Sequence, residues 1–366
     1  MSLPIHQLAI TRFRSFRNLT VGPFGRVNLI TGKNNAGKST LLEAIRLIAT
    51  DGAMGTFLDI LNYREETERD ELSFPAEYSS FCSLFSGYPT LNECGEPFII
   101  SNLPNPDKSI SVKIGWYFNE ESEMGRKLMP AQLDLLGDKV VFPVLEIEMP
   151  SVHRNIRLGH QLNHLYRDDI RSQSRKGTNS CIYVEPFSAS STDSLAGLWD
   201  SIALTDEQDQ VLEALRIISP DIKAVSMIGT NGKPQSRTAF VRSSNYPKPV
   251  PLRMFGDGVN RLFGLILSLA CAKDGVLLVD EIENGFHHTI LSNVWKVLFQ
   301  LASSLNVQIF ATTHNWDCIA AFQEAAAEHP GEGILTRLTV KGDLVIPTRL
   351  DDELLSIVTR EHIEVR

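Results

Sequence analysis

The sequence lacks a membrane-spanning segment, a secretion signal and a cysteine framework. Its longest apolar run, LFGLILSLACA at 262–272, is shorter than the roughly 18 residues that a membrane helix needs. The first residues, MSLPIHQLAITRF, contain no apolar signal core. The five cysteines are dispersed without a C-x-x-C pair, which is typical of reduced thiols rather than of a zinc or disulfide framework. These absences predict a cytoplasmic protein with no membrane partner.

Net positive charge and heptad repeats are also missing. The 366 residues carry 35 Lys and Arg against 44 Asp and Glu, a net charge of −9. This balance argues against a surface that coats nucleic acid over its whole length, but it leaves room for a local basic groove. No sustained heptad pattern occurs, so a long coiled coil is not expected.

Strand and helix patterns alternate at the two ends of the chain. RVNLITG, GVLLVDEIE and VQIFATTH predict buried strands, and LTRLTVKGDLVIPTRL predicts a hairpin. The fold class predicted is α/β, with 1–50 and 250–330 forming one discontinuous core. Residues 51–249 are predicted to be an inserted lobe of mixed α and β structure. Residues 331–366 are predicted to be a hairpin and helix packed on the core.

A glycine-rich loop lies between the first of these strands and a predicted helix. Its sequence, GKNNAGKS, fits the phosphate-loop pattern G-x-x-x-x-G-K-[ST]. The glycines let backbone N–H groups converge on phosphates, Lys38 adds a point charge, and Ser39 offers a hydroxyl to Mg²⁺. The predicted nucleotide-binding residues are Gly32, Lys33, Asn34, Asn35, Ala36, Gly37, Lys38, Ser39 and Thr40.

Two later strand ends carry candidate catalytic groups. Asp280 and Glu281 end the apolar run VLLV, and in a phosphate-loop ATPase such an aspartate holds Mg²⁺ while the next carboxylate orients or deprotonates water. His314 ends the strand IFATT, where its ring can bond the γ-phosphate and the attacking water. We predict Lys38, Glu281 and His314 as catalytic residues. ATP and Mg²⁺ are the predicted cofactors, with Ser39 and Asp280 as metal ligands.

The stretch MFGDGVNRL is a glycine-rich turn that enters a helix. It is either an ordinary helix N-terminus or a second phosphate-contacting helix end formed by Gly256, Asp257 and Gly258. Asp257 is unsuited to direct contact with an anion. The contact would therefore come from backbone N–H groups and the helix dipole.

These motifs together carry a family resemblance over 5–48 and 250–320. LAITRFRSFRNLTV followed by VNLITGKNNAGKSTLLEAI resembles the opening of SMC/RecF-type, ABC-class ATPases. FGDGVNRL, LLVDEIENGFHH and IFATTHN resemble OLD-family ATPases and their nuclease-free relatives, often described as AAA family ATPases. The resemblance implies a P-loop NTPase of ABC-ATPase type. It also implies a head-to-tail homodimer, with ATP between the Walker A loop of one subunit and the signature turn of the other.

Several residues match or depart from the family pattern. Glu281 matches the catalytic base, and Glu283 and His287 match the acid and histidine of the D-loop region. Gly256 stands where the LSGGQ signature has serine, which leaves backbone contacts only. Arg14 is expected to approach the nucleotide. The Q-loop glutamine is not assigned, because Gln161 and Gln173 lack a convincing context and VEPFSASS at 184–191 is an alternative.

The resemblance leaves two function classes open. The residues after His314 contain no acidic D-x-D strand end, so we expect no TOPRIM nuclease, and the tail LLSIVTREHIEVR resembles the natural end of such chains. Nuclease-free relatives resemble the ATPase halves of two-gene phage-defence or toxin–antitoxin-like systems. This implies a dimeric switch, or a higher oligomer, that controls a separately encoded effector such as a TOPRIM-like nuclease.

The alternative is a RecF/SMC-like repair ATPase that binds nucleic acid. A basic segment is its candidate surface, although such a cluster is more often a solvated loop. Its residues are Arg154, Arg157, Arg167, Arg171, Arg175 and Lys176. A transporter subunit is disfavoured because LSGGQ and a Q-loop are missing, and a small-molecule kinase does not need this motif set.

Overall fold

The computed structural model describes residues 3–66, 80–105, 108–122, 125–130, 140–158, 181–186, 192–229 and 237–364. Its strands are β1 (Gln7–Phe13), β2 (Phe16–Val21), β3 (Val27–Gly32), β4 (Phe98–Leu103), β5 (Ser109–Ser122), β6 (Gly125–Pro130), β7 (Val141–Met149), β8 (Val152–Arg157), β9 (Cys181–Val184), β10 (Ile222–Gly229), β11 (Arg237–Ser243), β12 (Val250–Pro251), β13 (Val276–Val279), β14 (Gln308–Thr312), β15 (Gly333–Lys341) and β16 (Leu344–Leu350). Its helices are α1 (Lys38–Ala49), α2 (Met54–Tyr63), α3 (Thr192–Ile202), α4 (Asp206–Ile218), α5 (Asp257–Cys271), α6 (Leu291–Ser304), α7 (Trp316–Ala327) and α8 (Asp352–Arg360). Short 3₁₀ turns occur at Leu91–Glu93, Leu252–Phe255 and His288–Ile290.

A six-stranded central sheet has the order β16-β15-β3-β14-β13-β9. All of its neighbouring strands are parallel except the β15–β16 hairpin. Ala311 of β14 pairs with Leu29 of β3 on one side and with Val279 of β13 on the other. This register brings the carboxyl ends of the three strands to one edge of the sheet, where ligands bind in open α/β sheets.

Both faces of the central sheet are covered, so its strands are apolar throughout. Leu277 and Val279 pack into the core formed with α3 to α8, whereas Leu278 between them packs into the opposite core with α1 and α2. Leu29 and Ile30 of β3 divide between the two cores in the same way. This alternation follows from the two-residue period of a strand.

Helix α1 is enclosed between two sheets. Its predicted apolar face, which includes Leu41 and Ile45, packs in the core shared with Leu278 and Phe310 of the central sheet. Leu42 and Leu47 are also fully buried, because a seven-stranded antiparallel sheet supplies further members of the same core. That sheet has the order β2-β1-β4-β5-β7-β8, with β6 paired to β5. The helix that follows the glycine loop is therefore fixed on opposite sides.

The strand pairing corrects the predicted boundaries at three places. β1 and β2, placed in the core by the sequence, belong to the antiparallel sheet because β1 pairs with β2 and β4. β9, inside the predicted insertion, belongs to the central sheet because Val184 pairs in parallel with Val279. β15, placed in the C-terminal appendage, pairs with β3 and extends the central sheet. The predicted hairpin itself is present as β15 and β16.

The remaining elements flank the central sheet. A three-stranded antiparallel sheet, β10-β11-β12, packs with α3 and α4 near α5, and the rings of Trp199 and Phe263 lie 5.9 Å apart at this junction. Among the residues described above, no helix is both long enough and apolar enough to cross a membrane.

Candidate nucleotide-binding site

The glycine loop joins β3 to α1 in a shape that needs its glycines. Gly37 precedes α1 with φ 94°, and a Cβ there would lie 2.6 Å from Cε1 of Phe16. Gly32 ends β3 with φ 146°, and its Cβ would lie 2.5 Å from the carbonyl oxygen of Leu338. Asn35 also has a positive φ, 63°. Any larger residue at either glycine would move the loop.

Lys38 lies across the loop from which it extends. Its Nζ donates to the carbonyl oxygens of Gly32 at 2.8 Å and Lys33 at 3.3 Å. Burial lowers the pKa of Lys38, whereas the negative charges of Asp280, Glu281 and Glu283 act against this shift. Because the first N–H groups of α1 have no acceptor within the helix, they and the ammonium form an anion site at the helix N-terminus.

Ser39 and Asp280 join the two predicted metal-binding segments across 241 residues of sequence. The Ser39 hydroxyl donates to Oδ2 of Asp280 at 2.9 Å, and the Tyr183 hydroxyl approaches the same oxygen at 3.4 Å. Thr312 donates to the other carboxylate oxygen, Oδ1. Mg²⁺ prefers hard oxygen ligands of this kind, bound through one or two carboxylates. The paired hydroxyl and carboxylate oxygens therefore fit the implied ion.

Glu281 follows Asp280 in a strained conformation that its neighbours hold. Its φ is 48°, which is unfavourable for a residue with a Cβ. Its backbone N–H donates to Oγ1 of Thr312 at 2.8 Å, and its Oε2 accepts from Nδ2 of Asn284 at 2.7 Å. The carboxylate is one-third exposed, so it is fixed in direction yet open to water.

His314 lies beside two carboxylates at the end of β14. Its Nδ1 is 3.3 Å from Oε1 of Glu283 and 3.8 Å from Oε1 of Glu281. The backbone N–H of His314 also donates to the same Glu283 oxygen at 3.1 Å. Glu283 is buried, whereas half of the His314 side chain is exposed. The buried carboxylate thus orients the ring through Nδ1 and leaves Nε2 for a substrate oxygen.

The predicted signature turn forms the start of α5. Gly256 precedes the helix with φ 100°, and Asp257 occupies the first turn. A Cβ on Gly258 would lie 3.5 Å from the carbonyl oxygen of Gly285, in the segment after Glu281. Within the described part of one chain, no hydrogen bond or ion pair joins this turn to Gly32–Thr40.

The other predicted site residues have different surroundings. His287 is exposed, with Nδ1 3.0 Å from Oγ1 of Thr289. Arg14 was expected near the nucleotide, but its buried guanidinium contacts Glu43 at 2.6 Å and Glu66 at 2.9 Å. Gln161 and Gln173 lie outside the described residues.

The unassigned Q-loop position has a structural candidate at the end of β9. Val184 pairs with Val279, so Glu185 follows β9 at the edge of the sheet where Asp280 follows β13. Glu185 belongs to the VEPFSASS stretch, which the sequence analysis named as an alternative position for the Q-loop.

Sequence reasoning missed three residues of the site. Thr312 contacts both Asp280 and Glu281, Asn284 holds Glu281, and Tyr183 contacts Asp280. The position of Asn284, three residues after Glu281, was an available signal, whereas Thr312 could not be told from the adjacent Thr313. Tyr183 had none, because β9 had not been assigned to the central sheet.

Comparisons with known proteins find similarity to ATPase domains. Residues 162–317 match the family profile "AAA domain, putative AbiEii toxin, Type IV TA system", and residues 7–75 match a second AAA-domain profile. An "ATP/GTP phosphatase" of Helicobacter pylori is 21% identical over 88% of this chain and 89% of that protein. A "DNA replication and repair protein RecF" of Teredinibacter turnerae is 32% identical, over 23% of this chain and 20% of that protein.

Solved structures of SMC heads are also similar. An SMC head bound to the C-winged helix domain of ScpA aligns with 95% of this chain and 97% of the SMC chain, at 14% identity and a TM-score of 0.49. The SMC head of Thermotoga maritima covers 95% and 99%, at 12% identity and a TM-score of 0.45.

Fold and motif geometry define a P-loop nucleotide hydrolase with a mixed α/β architecture. The chain is an ATPase whose residues 7–75 and 162–317 are similar to AAA domains, and it is similar over shorter stretches to RecF proteins.

Proposed function

We propose that this ATPase is a dimeric switch, in which ATP bound between two copies of the chain is hydrolysed to control a separately encoded partner. The observation that carries the proposal is the meeting of Ser39, Asp280, Glu281 and His314 at one edge of the central sheet. These residues come from three separate strand ends. Their roles match the parts of a phosphate-loop ATPase, which stabilises transferred phosphoryl charge and positions water.

Binding is assigned to the glycine loop. Backbone N–H groups of Gly32–Thr40 cradle the phosphates, and the Lys38 ammonium neutralises charge on the β and γ oxygens. Ser39 and Asp280 would hold Mg²⁺, which would neutralise charge that develops on the phosphate oxygens. Thr312 fixes the Asp280 carboxylate through Oδ1, so that Oδ2 remains on the Ser39 side.

Hydrolysis is assigned to Glu281 and His314. Glu281 accepts the proton of the attacking water, and Asn284 fixes its Oε2 so that Oε1 faces His314. With both ring nitrogens protonated, His314 donates through Nδ1 to the Glu283 carboxylate and through Nε2 to a γ-phosphate oxygen. Proton acceptor and hydrogen-bond donor thus flank the position of the attacking water.

Two substitutions separate binding from turnover. Lys38→Ala should abolish nucleotide binding, whereas Glu281→Gln should bind ATP and stop hydrolysis. Isothermal titration with ATP measures the first effect, and release of phosphate measures the second. Normal hydrolysis by the Glu281→Gln variant would reject Glu281 as the base.

The proposed dimer completes the site with Gly256, Asp257 and Gly258 of a second copy. This proposal is supported by the N-terminus of α5, whose free N–H groups suit a phosphate, and by the absence of a bond to the loop of the same chain within the described residues. Glu281→Gln should trap an ATP-dependent dimer, seen as a doubled mass in light scattering.

A mixing experiment tests whether the two halves act in trans. Lys38→Ala and Gly258→Glu should each be inactive, the second because it adds a carboxylate beside the partner's phosphate. An equimolar mixture should recover about a quarter of the wild-type rate, since half of the random dimers contain one intact site. A mixture as inactive as its components would contradict the composite site.

The partner is proposed to be an effector in a cytoplasmic anti-phage system, with a TOPRIM-like nuclease as the first candidate. Support comes from the matched family profile, whose description includes a toxin–antitoxin system. The product of the adjacent gene should co-purify with the ATPase, and ATP should change the complex in wild type but not in Lys38→Ala. If ATP changed the complex equally in wild type and in Lys38→Ala, the result would argue against control by ATP.

A RecF-like role at DNA is the second candidate, favoured by the short matches to RecF proteins of Teredinibacter turnerae and Idiomarina loihiensis. Two of the predicted basic residues have partners within the chain. Arg154 donates to the carbonyl oxygen of Gly52 at 3.4 Å, and Arg157 lies 3.9 Å from the Phe142 ring centroid. The other four lie outside the described residues. DNA binding that weakens steeply with salt would favour this role, and no binding at low salt would remove it.

A further inference from the structure

Cys82 and Cys94 lie against each other beneath the antiparallel sheet. Their sulfur atoms are 3.3 Å apart, and both side chains are buried, Cys94 completely. The Cys94 sulfur also lies 3.4 Å from the carbonyl oxygen of Thr90. All five cysteines fall in described segments, and no disulfide joins any of them. Cys82 and Cys94 are the two whose sulfurs are in contact.

We propose that Cys82 and Cys94 form a reversible redox pair, which closes to a disulfide when the cell is exposed to a peroxide. Geometry carries this proposal, because a disulfide bond of about 2 Å requires the two sulfurs to approach by little more than 1 Å. Disulfides that do form in the cytosol are usually transient and serve catalysis or redox sensing.

The two thiols are chemically unequal. The Cys94 thiol donates a hydrogen bond to the Cys82 sulfur, which lowers the pKa of Cys82 and raises that of Cys94. Both are buried, but Cys82 is the less completely buried of the two, with 6% of its surface exposed against 0% for Cys94. Cys82 is therefore the nucleophile that meets the oxidant, and Cys94 is the resolving thiol.

The reaction consumes one peroxide and two thiols. The Cys82 thiolate attacks a peroxide oxygen, the O–O bond breaks, and the departing hydroxide takes a proton, which leaves a sulfenic acid on Cys82. The Cys94 sulfur then attacks the Cys82 sulfur, the S–O bond breaks, and water leaves with the Cys94 proton. Two thiols are oxidised and hydrogen peroxide is reduced to two waters. A small dithiol then reduces the disulfide back to two thiols and is itself oxidised to a cyclic disulfide.

The disulfide would fix a segment that holds Arg14. Ser83, next to Cys82, donates from its hydroxyl to Oε2 of Glu66 at 2.7 Å, and the Leu84 carbonyl oxygen accepts from the Arg14 N–H at 2.9 Å. Arg14 in turn contacts Glu43 on α1, one turn beyond Ser39. Oxidation would therefore stiffen the support of the phosphate-loop helix. This last step rests on the proposed ATP site, whereas disulfide formation does not.

Peptide mass mapping tests the pair in the intact protein. Trypsin leaves both cysteines in one peptide, 70–108, and a protease that cuts after Glu93 separates them. After brief treatment with hydrogen peroxide, the tryptic peptide should lose two hydrogens and the second digest should yield two linked fragments, both reversed by dithiothreitol. Unchanged thiols, or Cys82 oxidised to sulfinic acid without a link, would overturn the proposal.

Variants then test the consequence. Peroxide should raise the Tm of the wild type by roughly a few degrees, since the bond closes a short loop in the unfolded chain. Cys94→Ala should remove this rise, and the matched variant Cys271→Ala, at a half-buried cysteine, should keep it. An equal response in Cys94→Ala would contradict the assignment. The rate of ATP hydrolysis before and after peroxide is measured separately. An unchanged rate would contradict the link to the ATP site but not the disulfide found by mass mapping.

Discussion

The Thr312 hydroxyl accepts the backbone N–H of Glu281 at 2.8 Å, so the end of β14 holds the proposed base that follows β13. The same hydroxyl donates its hydrogen to Asp280. Thr312 is fully buried. Both hydrogen-bonding functions of one side chain thus fix the metal ligand and the base relative to each other.

Removing this hydroxyl should slow catalysis more than it weakens binding. Thr312→Val keeps the shape but leaves a carboxylate oxygen and an N–H without a partner, each a loss of about 1–3 kcal/mol. We expect kcat to fall by about tenfold or more with a smaller change in KM. Thr312→Ser keeps the hydroxyl and should stay close to wild type. Equal losses in the two variants would show that the methyl group, and not the hydroxyl, matters.

Glu283 should act through His314. Its carboxylate oxygen accepts the His314 N–H at 3.1 Å and lies 3.3 Å from the ring Nδ1. Glu283→Ala should lower kcat by about tenfold, because the ring loses its orientation. In a His314→Ala background the same substitution should have little further effect, as a double-mutant cycle would show. Additive losses in the cycle would indicate that Glu283 acts independently of the histidine.

Nucleotide affinity should decline at alkaline pH through Lys38. Burial lowers the pKa of this ammonium from the ordinary 10.5, so the free protein loses the charge earlier than an exposed lysine would. Because phosphate binds the charged form, ATP affinity falls as pH rises through the lowered pKa, by up to about tenfold per pH unit. Titration calorimetry from neutral pH to 10.5 measures this fall. Lys38→Arg, which keeps its charge, should flatten it.

Gly37 should be intolerant of a side chain for a steric reason. Gly37 and Gly87 have similar φ angles, 94° and 90°. A Cβ on Gly37 would lie 2.6 Å from the Phe16 ring, whereas a Cβ on Gly87 would have no atom within 4 Å. Both alanine variants carry the backbone strain, about 1–3 kcal/mol. Gly37→Ala should in addition lose most of its ATP affinity, whereas Gly87→Ala should keep it. ATP binding retained by Gly37→Ala would show that the loop can shift away from Phe16.

The chemistry-bearing residues were predictable because each lies in a short local motif. Gly32, Lys38 and Ser39 follow one strand, and Asp280 with Glu281 follows another, so parallel pairing of the strands was enough to bring them together. The register that places Thr312 beside them is a tertiary property. No pattern within the ATTH stretch distinguishes Thr312, which contacts Asp280, from Thr313, which does not among the described contacts.

Tertiary packing also explains what the sequence misplaced. β9 has four residues and pairs with β13, so it carried too little periodicity to be assigned to the central sheet. The amphipathic pattern of α1 predicted one buried face, but a second sheet buries Leu42 and Leu47 as well. Arg14 lies in a motif that suggested the nucleotide, yet two distant carboxylates occupy its guanidinium.

The buried cluster around Arg14 should make stability depend on pH. Arg14 Nε lies 2.6 Å from Oε2 of Glu43, a close ion pair rather than an aligned hydrogen bond, and Arg64 contacts the other Glu43 oxygen at 2.6 Å. Arg14→Met would remove one of the cations that face the carboxylates of Glu43 and Glu66. It should lower the free energy of unfolding by about 3–5 kcal/mol at neutral pH. The exposed Arg17, paired with Asp343, offers a matched control whose loss should cost at most about 1 kcal/mol.

The sign of the pH effect follows from Glu43. Burial raises its pKa above 4.5, with Arg14 and Arg64 acting against the shift. Because the folded protein binds this proton more tightly than the unfolded chain, protonation of Glu43 stabilises the fold below pH 4.5. This stabilisation is lost as the pH rises through the pKa of Glu43 in the folded protein. Removing Arg14 raises the pKa of Glu43 further. The loss of unfolding free energy in Arg14→Met should therefore be largest at neutral pH and should shrink as the pH falls toward 4.5. Urea unfolding across this range measures it, and adding Glu43→Gln to Arg14→Met should restore part of the neutral-pH stability. A deficit that is constant with pH would place the loss in packing of the arginine stem rather than in its charge.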